Sequence, residues 1–207
     1  MSFTHLHVHS HYSLLNGLPQ IKPLVKAAKK RGFDALALTD YGSMYGAIEF
    51  YRTCLDIGIK PIIGFEAYIA PRSRHDKDPE VDKKMYRLIL LAENYEGYHN
   101  LMVLSSLGHL EGFFQNKPRI DNELLLQYHT GIIALSGSIN GEIPQLLLQG
   151  KKEEAKIKAK YYNDLFGSDY FYLELEDHPA VEGQLNINTQ LIEVSKELNI
   201  PLVVTRD

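Results

Sequence analysis

The sequence predicts an α/β fold in which a parallel sheet curls into a distorted seven-stranded (β/α) barrel of the TIM-like kind. Short apolar runs typical of strands alternate with helical patterns along all 207 residues, which is typical of parallel strands covered by helices. Polar residues follow several of these strands in turn, at Asp40, Glu66, Ser136 and Glu176. Polar groups at the carboxyl ends of many strands favour a barrel over an open doubly wound sheet, which would collect them at one switch point.

Each predicted element has a local signal. Helices are predicted where apolar residues recur with the helical period, as Leu24, Val25 and Ala28 do, and Gly58 terminates the second helix. These helices cover residues 21–31, 44–55, 97–110, 151–166 and 184–198. Strands are predicted at the apolar runs 4–8, 34–38, 60–69, 87–92, 132–135, 170–175 and 201–205. The charged, proline-flanked residues 71–84 are predicted to form an exposed, mobile loop.

Composition limits the classes of protein that fit. A net charge of −4, with 44% hydrophobic residues, favours one domain over residues 1–207 and argues against a strongly basic nucleic-acid binder. The single Cys54 excludes an internal disulfide and suits a cytoplasmic protein. No signal peptide or long apolar run points to a membrane. Because residues 201–207 resemble a strand that stops at its polar tip, we expect an N-terminal fragment of a much longer chain, with the barrel truncated at its C-terminal end.

A histidine-rich motif, HLHVHSH, occupies residues 5–11. In a strand, alternate side chains share a face, so His5, His7 and His9 are predicted to lie together while Leu6 and Val8 face a core. Imidazoles that converge at a strand end typically begin a transition-metal site. A polar edge strand or a tag remnant is the alternative, and it is disfavoured because tag histidines are contiguous.

Carboxylates elsewhere could complete such a site. Two neutral imidazoles on one strand can reach one zinc ion at roughly 2.0–2.1 Å. Glu66 follows an apolar strand near Gly64, where it could bind the ion or cap a neighbouring element. Asp40 could cap the helix predicted from Met44, or it could orient a ligand histidine by a hydrogen bond without binding the ion itself. Asp207 ends the last strand, where it could be a carboxylate that bridges metal ions or simply a loop residue.

These segments together resemble the PHP (polymerase and histidinol phosphatase) domain that begins bacterial DNA polymerase III alpha subunits. Residues 5–17 (HLHVHSHYSLLNG) resemble its first motif, and residues 36–46 (LALTDYGSMYG) and 58–68 (GIKPIIGFEAY) resemble the second and third. Further matching segments follow in family order to the end of the chain. The resemblance therefore covers essentially the whole sequence.

The resemblance implies a distorted seven-stranded barrel with a metal cluster at the C-terminal strand ends. In the family, two or three ions hydrolyse phosphoesters, and in some polymerases they give a 3′–5′ exonuclease. The implied partners are the rest of the polymerase chain, DNA through the full-length protein, and a separate proofreading exonuclease subunit. The polymerase reaction itself would use Mg²⁺ and residues beyond this chain.

The chain departs from the family pattern at half of its visible ligand positions. The retained positions are His7, His9, Glu66 and Asp207. The substituted positions are Asn16, Tyr41, Arg87 and Ser138. Arg87 is the most damaging change, because a fixed positive charge among cations costs electrostatic energy.

Two states of the metal site are therefore expected as alternatives. Arg87 could replace the metal charge by pairing with Glu66 or Asp207, or a single Zn, Mn or Fe ion could remain on His7, His9 and Glu66. The first makes the domain a degenerate structural and docking module of a replicative polymerase. The alternative is an active phosphoesterase, either the polymerase-linked exonuclease or a free phosphatase. The free phosphatase is disfavoured because residues 93–101 (ENYEGYHNL) look like the polymerase branch.

Overall fold

A computed structural model describes residues 3–178 and 180–206, and in them strands and helices alternate. The strands are β1 (Ala35–Leu38), β2 (Lys60–Ile69), β3 (Tyr86–Ala92), β4 (Arg119–Ile120), β5 (Ile132–Leu135), β6 (Phe171–Glu176) and β7 (Leu202–Thr205). The helices are α1 (Ile21–Lys30), α2 (Ala47–Ile57), α3 (Tyr95–Leu110), α4 (Asn122–Tyr128), α5 (Glu142–Leu148), α6 (Lys152–Phe166) and α7 (Gln184–Leu198). Within these residues no helix is both long and apolar enough to cross a membrane.

The strands form one curled sheet in the order β1-β2-β3-β5-β6-β7, and β4 pairs with β2 off this path. The predicted barrel class is confirmed in the form of a half-barrel of six strands. The predicted parallel arrangement is wrong at β3, which runs antiparallel to both β2 and β5. Antiparallel neighbours need no crossover helix, and a loop alone joins β2 to β3.

The N-terminal segment is not the predicted strand over residues 4–8. Its β-pairing is one isolated bridge, between His5 and Leu36, where Ala37 donates its backbone N–H to the carbonyl of His5 at 2.9 Å. Just beyond β1, the Thr39 N–H donates to the Val8 carbonyl at 2.8 Å. Leu6 and Val8 pack in two separate apolar clusters instead of facing one core. His5 packs against the Phe33 ring at 5.2 Å, whereas His7 and His9 contact Glu66.

The strands divide their side chains between two sides with a period of two. One phase packs against the helices, as Leu36 and Leu88 do. The other phase forms a small cluster inside the curl, which includes Ala37, Ile89 and Leu135. At the carboxyl ends of β2, β6 and β7, which form the mouth of the half-barrel, this inner phase continues with polar residues. They are Glu66 on β2, Arg87 on β3, Glu174 and Glu176 on β6, and Thr205 on β7. Five polar side chains are thus directed into one space.

The loop over residues 71–84 is exposed at most of its positions, as predicted, but Arg74 and Asp82 are buried in the folded chain. Arg72 pairs with Asp82 at 2.7 Å, and Arg74 pairs with Asp121, the N-cap of α4, at 3.1 Å. Charged residues are therefore buried here because each has an ionic partner.

Three short elements were not predicted, namely β4, α4 and α5. The two helices have seven residues each, so they are too short to show a clear helical period. Helix α2 begins at Ala47 instead of residue 44, with Gly46 as its N-cap.

Candidate metal centre at the barrel mouth

Three of the four retained ligand positions meet at the mouth of the half-barrel. His7 Nε2 lies 3.0 Å and His9 Nε2 lies 2.7 Å from the same oxygen, Glu66 Oε2. All three side chains are buried, with residue exposures of 1%, 7% and 1% in the same order. Two imidazoles and a carboxylate that converge in this way could hold a metal ion.

A second carboxylate lies on the opposite side of His7. Glu174 Oε1 is 2.9 Å from His7 Nδ1 and accepts a hydrogen bond of 2.6 Å from the Thr205 hydroxyl. Glu174 Oε2 is buried and has no hydrogen-bond partner among the described residues. Glu176, on the same face of β6, is 3.8 Å from His7 Nδ1, so these three residues form a second group able to hold a cation.

Sequence reasoning missed Glu174. The signal was present in the run FYLELE of residues 171–176, where Tyr172, Glu174 and Glu176 alternate with apolar residues. In a strand this pattern places both carboxylates on one face. The prediction of a site at the strand ends uses only the polar residues that follow each strand.

The two contacts of His7 constrain its protons. A neutral imidazole has only one N–H, so a ring that donates to carboxylates through both nitrogens must be protonated twice unless a cation replaces one proton. Burial alone would lower the pKa of His7, but the charges and hydrogen bonds of Glu174 and Glu66 raise it well above its usual range. Burial likewise favours the neutral form of Glu66, yet hydrogen bonds from His7 and His9, with the charge of Arg87, hold its pKa well below its usual range.

Arg87 reaches the mouth because β3 runs antiparallel, so that its first residues lie beside the last residues of β2. Its Nη1 is 3.1 Å from Glu66 Oε1, which confirms the predicted pairing with Glu66. The guanidinium lies 4.4 Å from the centre of the Tyr41 ring, and Tyr41 stacks on His9 at 4.0 Å. Burial opposes the charge of Arg87, but Glu66 and Tyr41 outweigh it and raise the pKa of the guanidinium.

Arg87 and the histidines use different oxygens of one carboxylate. The guanidinium contacts Glu66 Oε1, whereas both imidazoles contact Oε2. A cation beside the histidines would therefore bind an oxygen that Arg87 does not use. A second ion bridged by Glu66 would have to compete with the guanidinium for Oε1.

Asp40 acts on the backbone beside His9. It accepts hydrogen bonds from the Ser10 N–H at 2.7 Å, the Ser10 hydroxyl at 2.8 Å and the Ser13 hydroxyl at 2.6 Å. Of the two roles predicted for Asp40, capping the following helix is wrong, because Gly46 is the N-cap of α2, and orienting a ligand histidine stays a prediction. Asp40 instead fixes the turn that begins directly after the histidine pair.

The remaining substituted positions make local contacts. Asn16 is exposed and donates to the Leu14 carbonyl at 3.1 Å. Ser138 belongs to the turn before α5, where its carbonyl accepts from the Gly141 N–H at 2.7 Å. Asp207, the fourth retained position, lies outside the described residues.

Comparisons with known proteins show the family of the chain. The PHP domain family matches residues 5–178. The DNA polymerase III alpha subunit of Treponema pallidum is 50% identical over 100% of this chain, and that of Borreliella burgdorferi is 45% identical over 99%. The chain spans 18% of the length of each of these curated relatives and corresponds to their N-terminal region.

Solved structures share the fold at low sequence identity. An amidohydrolase from Chromobacterium violaceum superposes with a TM-score of 0.62 and 12% identity, and covers 99% of this chain and 86% of its own. A protein from Bifidobacterium adolescentis, assigned as a metal-dependent phosphoesterase, has a TM-score of 0.57 at 12% identity with the same coverage. At this identity, the likeness indicates the barrel-type fold alone.

Proposed function

Since this chain belongs to the PHP domain family and matches the N-terminal region of DNA polymerase III alpha subunits, we propose that it is a structural and docking module of a replicative DNA polymerase, with a degenerate hydrolytic site. The domain would occupy residues 1–207 of a longer cytoplasmic chain. The polymerase reaction with Mg²⁺, the contact with DNA and the docking of a separate proofreading exonuclease subunit would belong to that whole protein.

The pairing of Arg87 with Glu66 carries this proposal. Hydrolysis by two ions needs the metals roughly 3.5–4 Å apart, held by shared ligands such as a bridging carboxylate. Glu66 Oε1 already accepts from Arg87, whose guanidinium is enclosed by the rings of Tyr41 and Tyr68 at 4.4 Å and 5.3 Å. A fixed positive charge at this point opposes a second cation.

One ion fits the donor set better than two. His7 Nε2, His9 Nε2 and Glu66 Oε2 are ligands that suit Zn, Mn or Fe. When bound, such an ion would polarise a phosphoester or activate a water molecule. The protein residues would hold the ion, exclude bulk water through their burial, and keep a positive charge at Arg87 beside an anionic substrate.

This fit supports a second candidate function, metal-dependent phosphoester hydrolysis, which includes the 3′–5′ exonuclease reaction. The observation that favours it is the separation of roles on Glu66, where Oε2 remains turned toward the histidines while Oε1 binds Arg87. Against it stand the substitutions at Asn16, Tyr41 and Ser138.

A nuclease assay separates the two functions. The intact protein that contains this domain is incubated with end-labelled single-stranded DNA and either Mn²⁺ or Zn²⁺, beside a His7→Ala variant. We expect the two proteins to release the same background of nucleotides. Release by the wild-type protein that disappears in His7→Ala would establish the hydrolase and contradict the loss of activity.

A further inference from the structure

We propose that Glu174 is a positioning residue for a single transition-metal ion held by His7, His9 and Glu66. It accepts the Nδ1 proton of His7 and so directs the Nε2 lone pair toward the ion. This inference rests on the proposed function in one respect, namely that the site holds a single ion when it is fully occupied. Glu174 is outside the four ligand positions that the sequence indicated.

The geometry at His7 supports this role. Nδ1 lies 2.9 Å from Glu174 Oε1, within hydrogen-bond range, whereas Nε2 lies 3.0 Å from Glu66 Oε2, where His9 Nε2 also converges. A metal ligand must offer a lone pair, and a neutral imidazole offers one only at the nitrogen without a proton. A carboxylate that holds the proton at Nδ1 therefore selects the tautomer that can bind an ion on the Glu66 side.

Glu174 is itself fixed by the neighbouring strands. Thr205 on β7 donates its hydroxyl to Glu174 Oε1 at 2.6 Å, and the Glu174 backbone N–H donates to the Ser136 hydroxyl, just beyond β5, at 2.9 Å. The side chain is fully enclosed. A carboxylate held in this way gives the imidazole a single orientation, which is the purpose of such outer contacts at metal sites.

Direct coordination by Glu174 is the competing interpretation. Its Oε2 atom is buried without a hydrogen-bond partner, and Glu176 lies nearby on the same face of β6. An ion held by Glu174 would need the Nδ1 lone pair of His7 and would leave Nε2 protonated toward Glu66. We favour the positioning role because two imidazole nitrogens lie within 3.0 Å of one oxygen on the Glu66 side. On the other side, Glu176 is 3.8 Å from His7 Nδ1, and Glu174 Oε1 already accepts from Thr205.

The test measures metal affinity and coordination, without an activity assay. Zn²⁺ and Co²⁺ are titrated into the intact protein and into its Glu174→Ala and Glu174→Gln variants. We expect Glu174→Ala to weaken binding about 10- to 100-fold, and Glu174→Gln to weaken it less because its amide oxygen still accepts from Nδ1. At saturating Co²⁺, the absorption spectrum of Glu174→Ala should match that of the wild type, since no ligand is lost.

Controls separate positioning from general stability. Glu142→Gln alters another carboxylate, one that is partly buried, accepts from the Tyr162 hydroxyl at 3.0 Å and belongs to neither group able to hold a cation. We expect the Zn²⁺ affinity of this variant to equal that of the wild type. Thermal unfolding without metal shows that each variant is folded at the titration temperature.

Three outcomes would overturn the inference. The wild-type protein could bind neither ion, or Glu174→Ala could bind Zn²⁺ with an affinity within threefold of the wild type. The Co²⁺ spectrum of Glu174→Ala could also change, which would make Glu174 a ligand. Nuclease activity in the same samples would contradict the degenerate site without bearing on Glu174.

Discussion

His7 meets one carboxylate on each side, and the two sides differ in how their charge is balanced. Glu66 shares its oxygens among two histidines and Arg87, so it has a fixed cation beside it. Glu174 contacts His7 and the neutral hydroxyl of Thr205, and among the described residues its ion pairs involve His7 alone. The Glu66 side of the ring therefore keeps an ionic partner when no metal is bound, and the Glu174 side fixes the orientation of the ring.

The largest effect should follow from the removal of Glu66. Glu66→Ala leaves Arg87 and both imidazoles without their shared partner in a buried site. Breaking a buried ion pair from one side costs about 3–5 kcal/mol, and we expect a loss of this size in the free energy of unfolding. Urea titration in the presence of EDTA measures it, and a loss below about 1 kcal/mol would show that Arg87 is compensated elsewhere.

The removal of Glu174 should cost less, since no fixed charge loses its partner. Glu174→Ala leaves the Thr205 hydroxyl and His7 Nδ1 without their acceptor, and an unsatisfied buried group costs about 1–3 kcal/mol. The same urea titration compares the two variants directly. If Glu174→Ala lowered the free energy of unfolding more than Glu66→Ala does, the Glu174 side, and not the Glu66 side, would hold the stronger charge pairing.

The guanidinium itself can be removed to make the site depend on metal. Arg87→Met keeps much of the side-chain length but leaves Glu66 without its fixed positive charge. We expect the unfolding midpoint of this variant to rise more on addition of Zn²⁺ than that of the wild type, because the ion now supplies the missing charge. The two proteins are compared at the same zinc concentration, and a concentration of 100 times a protein's Kd adds about 2.7 kcal/mol to its free energy of unfolding. An equal rise in the two unfolding midpoints would show that Arg87 does not affect metal binding.

The smallest predicted effect is a pH window in the metal-free protein. Glu66 has a lowered pKa, so its contribution to stability is present above its unfolded value of 4.5 and is lost as pH falls. His7 has a raised pKa, so its contribution is full below its unfolded value of 6.5 and is lost as pH rises through the folded value. The pair therefore stabilises most between about pH 4.5 and 6.5, and a His7→Gln variant followed by urea unfolding against pH should lose the alkaline decline.

Much of the mouth could be predicted because its parts lie in short motifs with clear chemistry. The spacing of His7 and His9 predicted that they act together, and the resemblance to the PHP domain added Glu66, which the structure places beside both. The resemblance also placed Arg87 among the ligand positions, and its charge then predicted a carboxylate partner, Glu66 or Asp207.

The rest depended on tertiary contacts that local patterns do not contain. Glu174 became significant only when the curl of the sheet placed β6 beside His7. The antiparallel direction of β3 is set by its pairing with β2 and β5, not by its own sequence. In the loop over residues 71–84, which is mostly exposed, Arg74 is buried with Asp121 as its ionic partner, a contact that the charge pattern of the loop does not reveal.

Elemental analysis of the natively purified protein tests the central claim most directly. The metal content of the intact protein is measured beside a variant that carries both His7→Ala and His9→Ala, so that ions bound elsewhere cancel in the difference. The account predicts a difference of no more than one Zn, Mn or Fe ion per chain. A difference of two or more ions would show a complete hydrolytic centre at the mouth and would contradict the degenerate site.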